Sequence, residues 1–376
     1  MNKIYLFIAI ALFSTININA QINPTASPYA NDGSYTVMSD SNLTDLSSPL
    51  LFFYPQTAGT YPVFMFQLGA NGFGSSVINR HTYDLFMQNL ASYGFVVIVI
   101  DDSQAGFPNG ASYIETHDWF KNKVIDPVHW LNSYADPTKV VIGGHSNGGV
   151  NASALLVDRP TEINGIIFMD SYPSGGVFGI GAHDVSGYTG KILTMSANEN
   201  DPTANIDGWN KFINSSCKTY VDITGLDHGG FGDYVLAAQP IGPIGRVDAT
   251  ATIRHFLVSW MLSEFNGDTQ ASNQLMTISL HPNTIQNFVN DCGSLPTGIN
   301  TETSSTTASI FPNPATNNIT ITTELAASEI SITNTTGQNV YQKTINKSSL
   351  KIDVQNFPKG IYFVNVNNHI KKLIIK

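Results

Sequence analysis

The sequence predicts an α/β domain built on a doubly wound, mostly parallel sheet, followed by a small C-terminal β-sandwich. Three observations carry that prediction. Across residues 61–149 short continuous apolar runs alternate with helix-like segments, the pattern of parallel strands buried on both faces. A glycine-framed serine, Gly144-His145-Ser146-Asn147-Gly148, falls between one such run and a helical stretch. Near residue 293 the composition shifts to a Ser/Thr-rich stretch, and alternating strands separated by Asn-Gly-type turns follow it.

In chain order, residues 1–20 carry Lys3, an apolar run over 4–13 and the small residue Ala20 before Gln21, the layout of a secretory signal peptide. No later stretch approaches the roughly 18 apolar residues of a membrane span, so no transmembrane anchor is expected. Residues 21–292 are expected to form the larger, α/β domain. Pro62-Val63-Phe64-Met65-Phe66 and Phe95-Val96-Val97-Ile98-Val99-Ile100 are strands, and residues 81–93, with Leu85, Phe86, Leu90 and Tyr93 at helical spacing, are the helix between them. The unit repeats with a helix over about 113–134, a strand at Val140-Val141-Ile142-Gly143, a helix from Asn147, and strands at 165–169, 191–195 and 219–223. Residues 293–307 are a linker, and residues 308–376 are the β-sandwich, with strands at 319–322, 329–332 and 361–366.

Charge narrows the partners. The chain holds 18 basic and 28 acidic residues, a net of −10, which attracts neither a phosphate backbone nor an anionic membrane. Nucleic acid is therefore excluded as a partner. The tail opposes the rest, with seven lysines against three acids in residues 308–376. Two cysteines, Cys217 and Cys292, in an exported chain favour one disulfide, the alternative being two buried thiols. Two cysteines cannot build a zinc cluster, and neither H-E-x-x-H nor a phosphate-binding G-x-x-x-x-G-K is present. No metal or other cofactor is expected.

The chemistry centres on Ser146. A nucleophile on a tight strand-to-helix turn needs flanking glycines to avoid clashes, and the helix N-terminus stabilises developing negative charge. Serine also needs a base and a carboxylate downstream, in the order Ser, Asp, His. Asp201 follows the strand at 191–195, and His228 follows the strand at 219–223, both at carboxyl ends where α/β sites assemble. Asp201 and His228 are the expected partners. Glu199 and Asp170 compete for the carboxylate, His183 and His281 are distant competitors for the base, and Asp227 is expected to face solvent or sit in a turn. The oxyanion hole is expected from the N–H of Asn147 and an N–H of the glycine-rich loop Gln67-Leu68-Gly69-Ala70-Asn71-Gly72-Phe73-Gly74, with Ala70 as the second donor.

Two resemblances follow from these residues. Tyr61-Pro62-Val63, Ala91-Ser92-Tyr93-Gly94-Phe95, the elbow with its extra Gly149, Glu199-Asn200-Asp201 and Gly225-Leu226-Asp227-His228 resemble the α/β-hydrolase superfamily. The branch is that of chlorophyllase-like, dienelactone-hydrolase-like and cutinase-like esterases, which includes polyethylene terephthalate hydrolases. The sequence departs from the polyesterases at Asn147, where Met is usual, and at Gln67-Leu68-Gly69, where the branch carries a His-Gly or Pro-Gly pair. Tyr172 lies where that family places a wall of the acyl site. In the tail, Phe311-Pro312-Asn313-Pro314-Ala315, Gly337-Gln338-Asn339-Val340, Pro358-Lys359-Gly360-Ile361-Tyr362 and the closing Lys371-Lys372-Leu373-Ile374-Ile375-Lys376 resemble the sorting domain of type IX secretion cargo.

The resemblances imply a secreted serine esterase acting on a small or polymeric ester, exported through the type IX machinery of a Bacteroidetes-type bacterium to the surface or medium. A peptidase or amidase on the same triad is the enzymatic alternative. A non-catalytic binding protein on a hydrolase scaffold is the other.

Overall fold

In the computed structural model the described residues are 21–70, 77–102, 110–173, 183–233, 240–292, 309–322, 328–334, 338–366 and 369–376. The expected signal segment, the linker and the far part of the glycine-rich loop, with Phe73, lie outside them. The chain divides into two compact units, Met1–Leu295 and Pro296–Lys376.

Among its described residues the first unit holds nine strands, β1 (Val37–Asn42), β2 (Leu50–Pro55), β3 (Tyr61–Gln67), β4 (Val96–Ile100), β5 (Ala135–His145), β6 (Gly165–Met169), β7 (Lys191–Ala197), β8 (Cys217–Ile223) and β9 (Ile285–Cys292). They form one sheet in the order β1-β2-β4-β3-β5-β6-β7-β8-β9. From β4 through β8 every pairing is parallel, while β1, β2 and β9 join antiparallel. The apolar runs split by side-chain period across two faces. Phe64, Phe66, Val97 and Val99 enter one core, and Val63, Met65, Val96, Ile98 and Ile100 enter the other. The chain leaves β3 for β4 on one side and returns to β5 on the other, so the strand order reverses at the carboxyl ends of β3 and β5, the place where α/β sheets bind ligands.

The helices of this unit are α1 (Asp84–Ser92), α2 (Ala111–Val124), α3 (Asn147–Asp158), α4 (Pro202–Asn210), α5 (Gly245–Met261) and α6 (Thr269–Met276). The helix expected over 113–134 is broken: α2 ends at Val124 and a 3-10 turn at Trp130–Ser133 follows. Asp126-Pro127 between them is the cause, because proline disfavours helical geometry at the residue before it and removes a donor. Cys217 and Cys292 stand opposite each other in the β8–β9 register and form a disulfide.

Among the described residues the second unit contains strands and no helix. The strands β10 (Ser309–Phe311), β11 (Asn318–Thr322) and β14 (Ser349–Asp353) form one antiparallel sheet. A second contains β12 (Ser328–Asn334), β13 (Asn339–Ile345), β15 (Gly360–Val366) and β16 (His369–Ile375). Ile319, Ile321 and Ile352 from the first meet Ile330, Ile332, Val364 and Leu373 from the second in a single apolar core.

Candidate active site

Ser146 occupies the turn between β5 and α3 with φ 53° and ψ −125°. A non-glycine residue at positive φ costs on the order of 1–3 kcal/mol and persists only where its surroundings enforce it. They do so here. The Ser146 N–H donates to the Met169 carbonyl at 3.1 Å, and its carbonyl accepts from the Ser171 hydroxyl at 2.6 Å and from the Gly149 N–H at 3.1 Å. The flanking glycines answer to close approach: a Cβ on Gly148 would lie 2.2 Å from the Gln67 carbonyl oxygen, and one on Gly144 would lie 2.3 Å from the Gly148 carbonyl carbon.

The half-buried Ser146 caps the N-terminus of α3, where the helix dipole favours negative charge. Asn147 is its first helical residue. The segment after β3 runs alongside: a Cβ on Gly69 would sit 3.5 Å from Ser146 Cβ, and the half-buried Ala70 follows it.

The structure brings Asp170 rather than Asp201 to His228. Asp170 directly follows β6, is buried, and has φ 44°. Its Oδ2 accepts from His228 Nδ1 at 2.5 Å and from the Asn200 amide at 2.7 Å. Its Oδ1 accepts from the Asn205 amide at 2.7 Å and the Ala197 N–H at 3.1 Å. Asp201 is instead the N-cap of α4, accepting from the Ala204 N–H at 3.1 Å, with Pro202 in the first turn. Its carbonyl accepts from Asn205 at 3.0 Å, so Asp201 serves the helix that aims Asn205 at Asp170.

The physical reason lies in strand order. The end of β6 is one strand from β5 and that of β7 is two, each step about 4.8 Å. Of the two strand-end acids, the expected Asp201 is the one that does not meet His228, and Asp201-Pro202 carries the sequence signal that distinguishes them, since Asp before Pro marks a helix start. Asn200 and Asn205, which grip Asp170, had no such signal.

His228 opens a 3-10 turn whose N-cap is Asp227, the side chain of which accepts the His228 N–H at 2.7 Å. Nδ1 donates to Asp170, so Nε2 is the nitrogen left to exchange a proton. The ring packs on the buried His145, centroids 4.5 Å apart. Burial, followed by the neighbouring His228, holds the His145 pKa well below that of an ordinary imidazole. Tyr172 lies half-buried beside the start of this constellation, with Gly208 of α4 against its Cβ, and burial raises its phenol pKa. His183 and His281 stand apart from Asp170: the His281 ring bonds the Leu275 carbonyl, and the His183 N–H donates to the Pro173 carbonyl.

A serine on a strained strand-to-helix turn and a carboxylate-held histidine, both at the carboxyl ends of a mostly parallel sheet, define a hydrolase architecture. Residues 73–239 match the Alpha/beta hydrolase family, and residues 309–376 match the Secretion system C-terminal sorting domain. The chain thus carries an α/β-hydrolase domain and a type IX sorting domain, which marks export to the Bacteroidetes cell surface or extracellular space.

Among curated proteins the chain is similar to chlorophyllase type 0 of Chenopodium album, 28% identical over 122 residues, covering 29% of this chain and 32% of that protein. It is also similar to beta-agarase A of Zobellia galactanivorans, 36% identical over 73 residues, covering 19% of this chain and 14% of that protein. The matched stretches thus span under a third of either relative. No helix among the described residues is long and apolar enough to cross a membrane.

Proposed function

We propose that the chain is a secreted serine-dependent carboxylic ester hydrolase working through an acyl-enzyme, with Ser146, His228 and Asp170 as its triad. The observation that carries this reading is the 2.5 Å pairing of His228 Nδ1 with the buried Asp170, beside a serine held at positive φ. In this mechanism Ser146 Oγ attacks the ester carbonyl and His228 Nε2 takes its proton. The imidazolium is stabilised by Asp170 and returns the proton to the departing alcohol. Water, activated by the same histidine, then releases the acid. The N–H groups of Asn147 and Ala70 face the tetrahedral oxyanion, and Tyr172 forms a wall of the acyl site. Substrates are small or polymeric esters, polyethylene terephthalate among the polymeric ones. Residues 1–20 direct export, residues 293–307 tether the two units, and the tail engages the type IX machinery.

The test is hydrolysis of p-nitrophenyl esters of graded acyl length and of bis(2-hydroxyethyl) terephthalate by the full chain and its Ser146→Ala variant. The variant should lose turnover by several orders of magnitude, on the order of 10⁶ at the extreme, and should not react with a fluorophosphonate that labels the unaltered chain. Undiminished ester hydrolysis by Ser146→Ala would falsify the assignment. Cleavage of matched amides in preference to esters would move it to the amidase class.

A further inference from the structure

The hydroxyl of Tyr83 is buried at the heart of this site, in a bed where phenylalanine would fill the same space. Its ring is fully enclosed and lies 4.8 Å, centroid to centroid, from Phe66 of β3. A buried hydroxyl must be paired or it costs stability, and this one meets two separate parts of the site. The Gly69 N–H donates to it at 3.2 Å, and it lies 2.8 Å from His145 Nδ1. Gly69 immediately precedes Ala70, and His145 immediately precedes Ser146 and carries the ring on which His228 rests. The three groups are in tight mutual contact, since a Cβ on Gly69 would lie 3.2 Å from both the Tyr83 oxygen and His145 Nδ1.

We propose that Tyr83 is a positioning residue for the hydrolytic reaction: its hydroxyl latches the oxyanion loop to His145 and so fixes loop, nucleophile turn and general base in one frame. The inference rests on the ester-hydrolase reading above. The Gly69 N–H fills one lone pair of the phenol oxygen, and the phenol proton goes to His145 Nδ1, which fixes that ring in its Nε2–H form. A neutral His145 suits its place. His228 becomes an imidazolium during turnover, and a second cation 4.5 Å away would oppose that charge. Full burial, with the neighbouring His228, holds its pKa well below that of an ordinary imidazole and so favours the neutral ring. Tyr83 thus acts through Gly69 and His145, not on the reacting atoms. Its loss should appear in transition-state stabilisation and not in ground-state binding.

The experiment measures p-nitrophenyl acetate turnover by the full chain carrying Tyr83→Phe, His145→Phe or both, beside the unaltered chain and Ser146→Ala. Tyr83→Phe keeps the ring and removes the latch; His145→Phe keeps a ring against His228 and removes the acceptor. Each single variant should lower kcat roughly 10- to 100-fold with KM within about twofold, and the double variant should lose no more than the worse single one. His145→Asn, which keeps an acceptor near the Nδ1 position, should recover part of the loss.

The proposal is overturned if either phenylalanine variant keeps the kcat of the unaltered chain, if the loss is in KM, or if the two losses multiply in the double variant. Should Tyr83→Phe fail to fold, the pair His145→Phe and His145→Asn decides alone, equal kcat in the two refuting the latch. Full activity in Ser146→Ala would overturn the ester-hydrolase reading itself, a result separate from any outcome at Tyr83.

Discussion

The loops after β6 and β7 each begin with polar groups at the carboxyl end of a buried parallel strand, yet they use their aspartates for opposite purposes. Asp170 is buried, with both oxygens filled by side-chain and backbone donors and one of them facing His228. Asp201 is exposed and accepts a backbone N–H of the helix it starts. The difference teaches that a strand-end acid becomes part of a reactive site through the donors that enclose it. Asp201, Asn200 and Asn205 form the scaffold around Asp170 rather than a second carboxylate site.

That comparison can be broken most directly by Asp170→Asn. Its kcat on p-nitrophenyl esters should fall about 10⁴-fold with the fold retained, because the amide no longer enforces the histidine tautomer. A loss of that size in Asp201→Asn, with Asp170→Asn near normal, would reverse the two roles. Next in size are Asn200→Ala and Asn205→Ala. Each removes one donor to a buried carboxylate, and kcat should fall roughly 10- to 100-fold as Asp170 loosens; unchanged rates would reduce the scaffold to packing. The smallest effect belongs to Asp201→Ala. It removes a helix cap, costing about 1 kcal/mol, which calorimetry should register as a Tm lower by roughly 2–4 °C.

Acid titration gives a further contrast within the same unit. His255 of α5 is fully buried against Ser27, at 2.9 Å from its hydroxyl, and burial followed by the neighbouring His281 pushes its pKa down to about 3. A histidine whose folded pKa lies below its unfolded value of about 6.5 binds its proton more readily when unfolded. Its contribution is therefore complete above about pH 6.5 and is lost as pH falls towards about 3. The midpoint of urea unfolding should drop over that window, and His255→Gln should flatten the drop.

Much of the fold was legible because residues 62–66, 95–100 and 165–169 are buried on both faces and so read as unbroken apolar runs. The edge strands were less so. β1 is exposed along most of its length and β9 is mostly half-buried, and neither carries the apolar run that marks an interior strand. In the site, the turn around Ser146 was legible because close backbone approach requires glycine at fixed offsets. The carboxylate was not. Chain order alone admits an acid after either β6 or β7, and only the sheet order, together with the Asp201-Pro202 cap, separates them. The asparagines around Asp170 were invisible for a similar reason: a donor to a buried carboxylate has no periodicity.

The cystine gains a mechanical meaning from where it sits. Cys292 is the last residue of β9, and the chain leading to the sorting domain departs directly after it. Tension on the tail during export or surface attachment would pull first at that end of β9, the geometry that peels an antiparallel edge strand away one rung at a time. Cys292 is bonded to Cys217 on the first rung. The bond passes the load to β8, an interior strand hydrogen-bonded on both sides. The loop carrying His228 leaves the opposite end of β8, so the bond and the loop anchor the two ends of one interior strand.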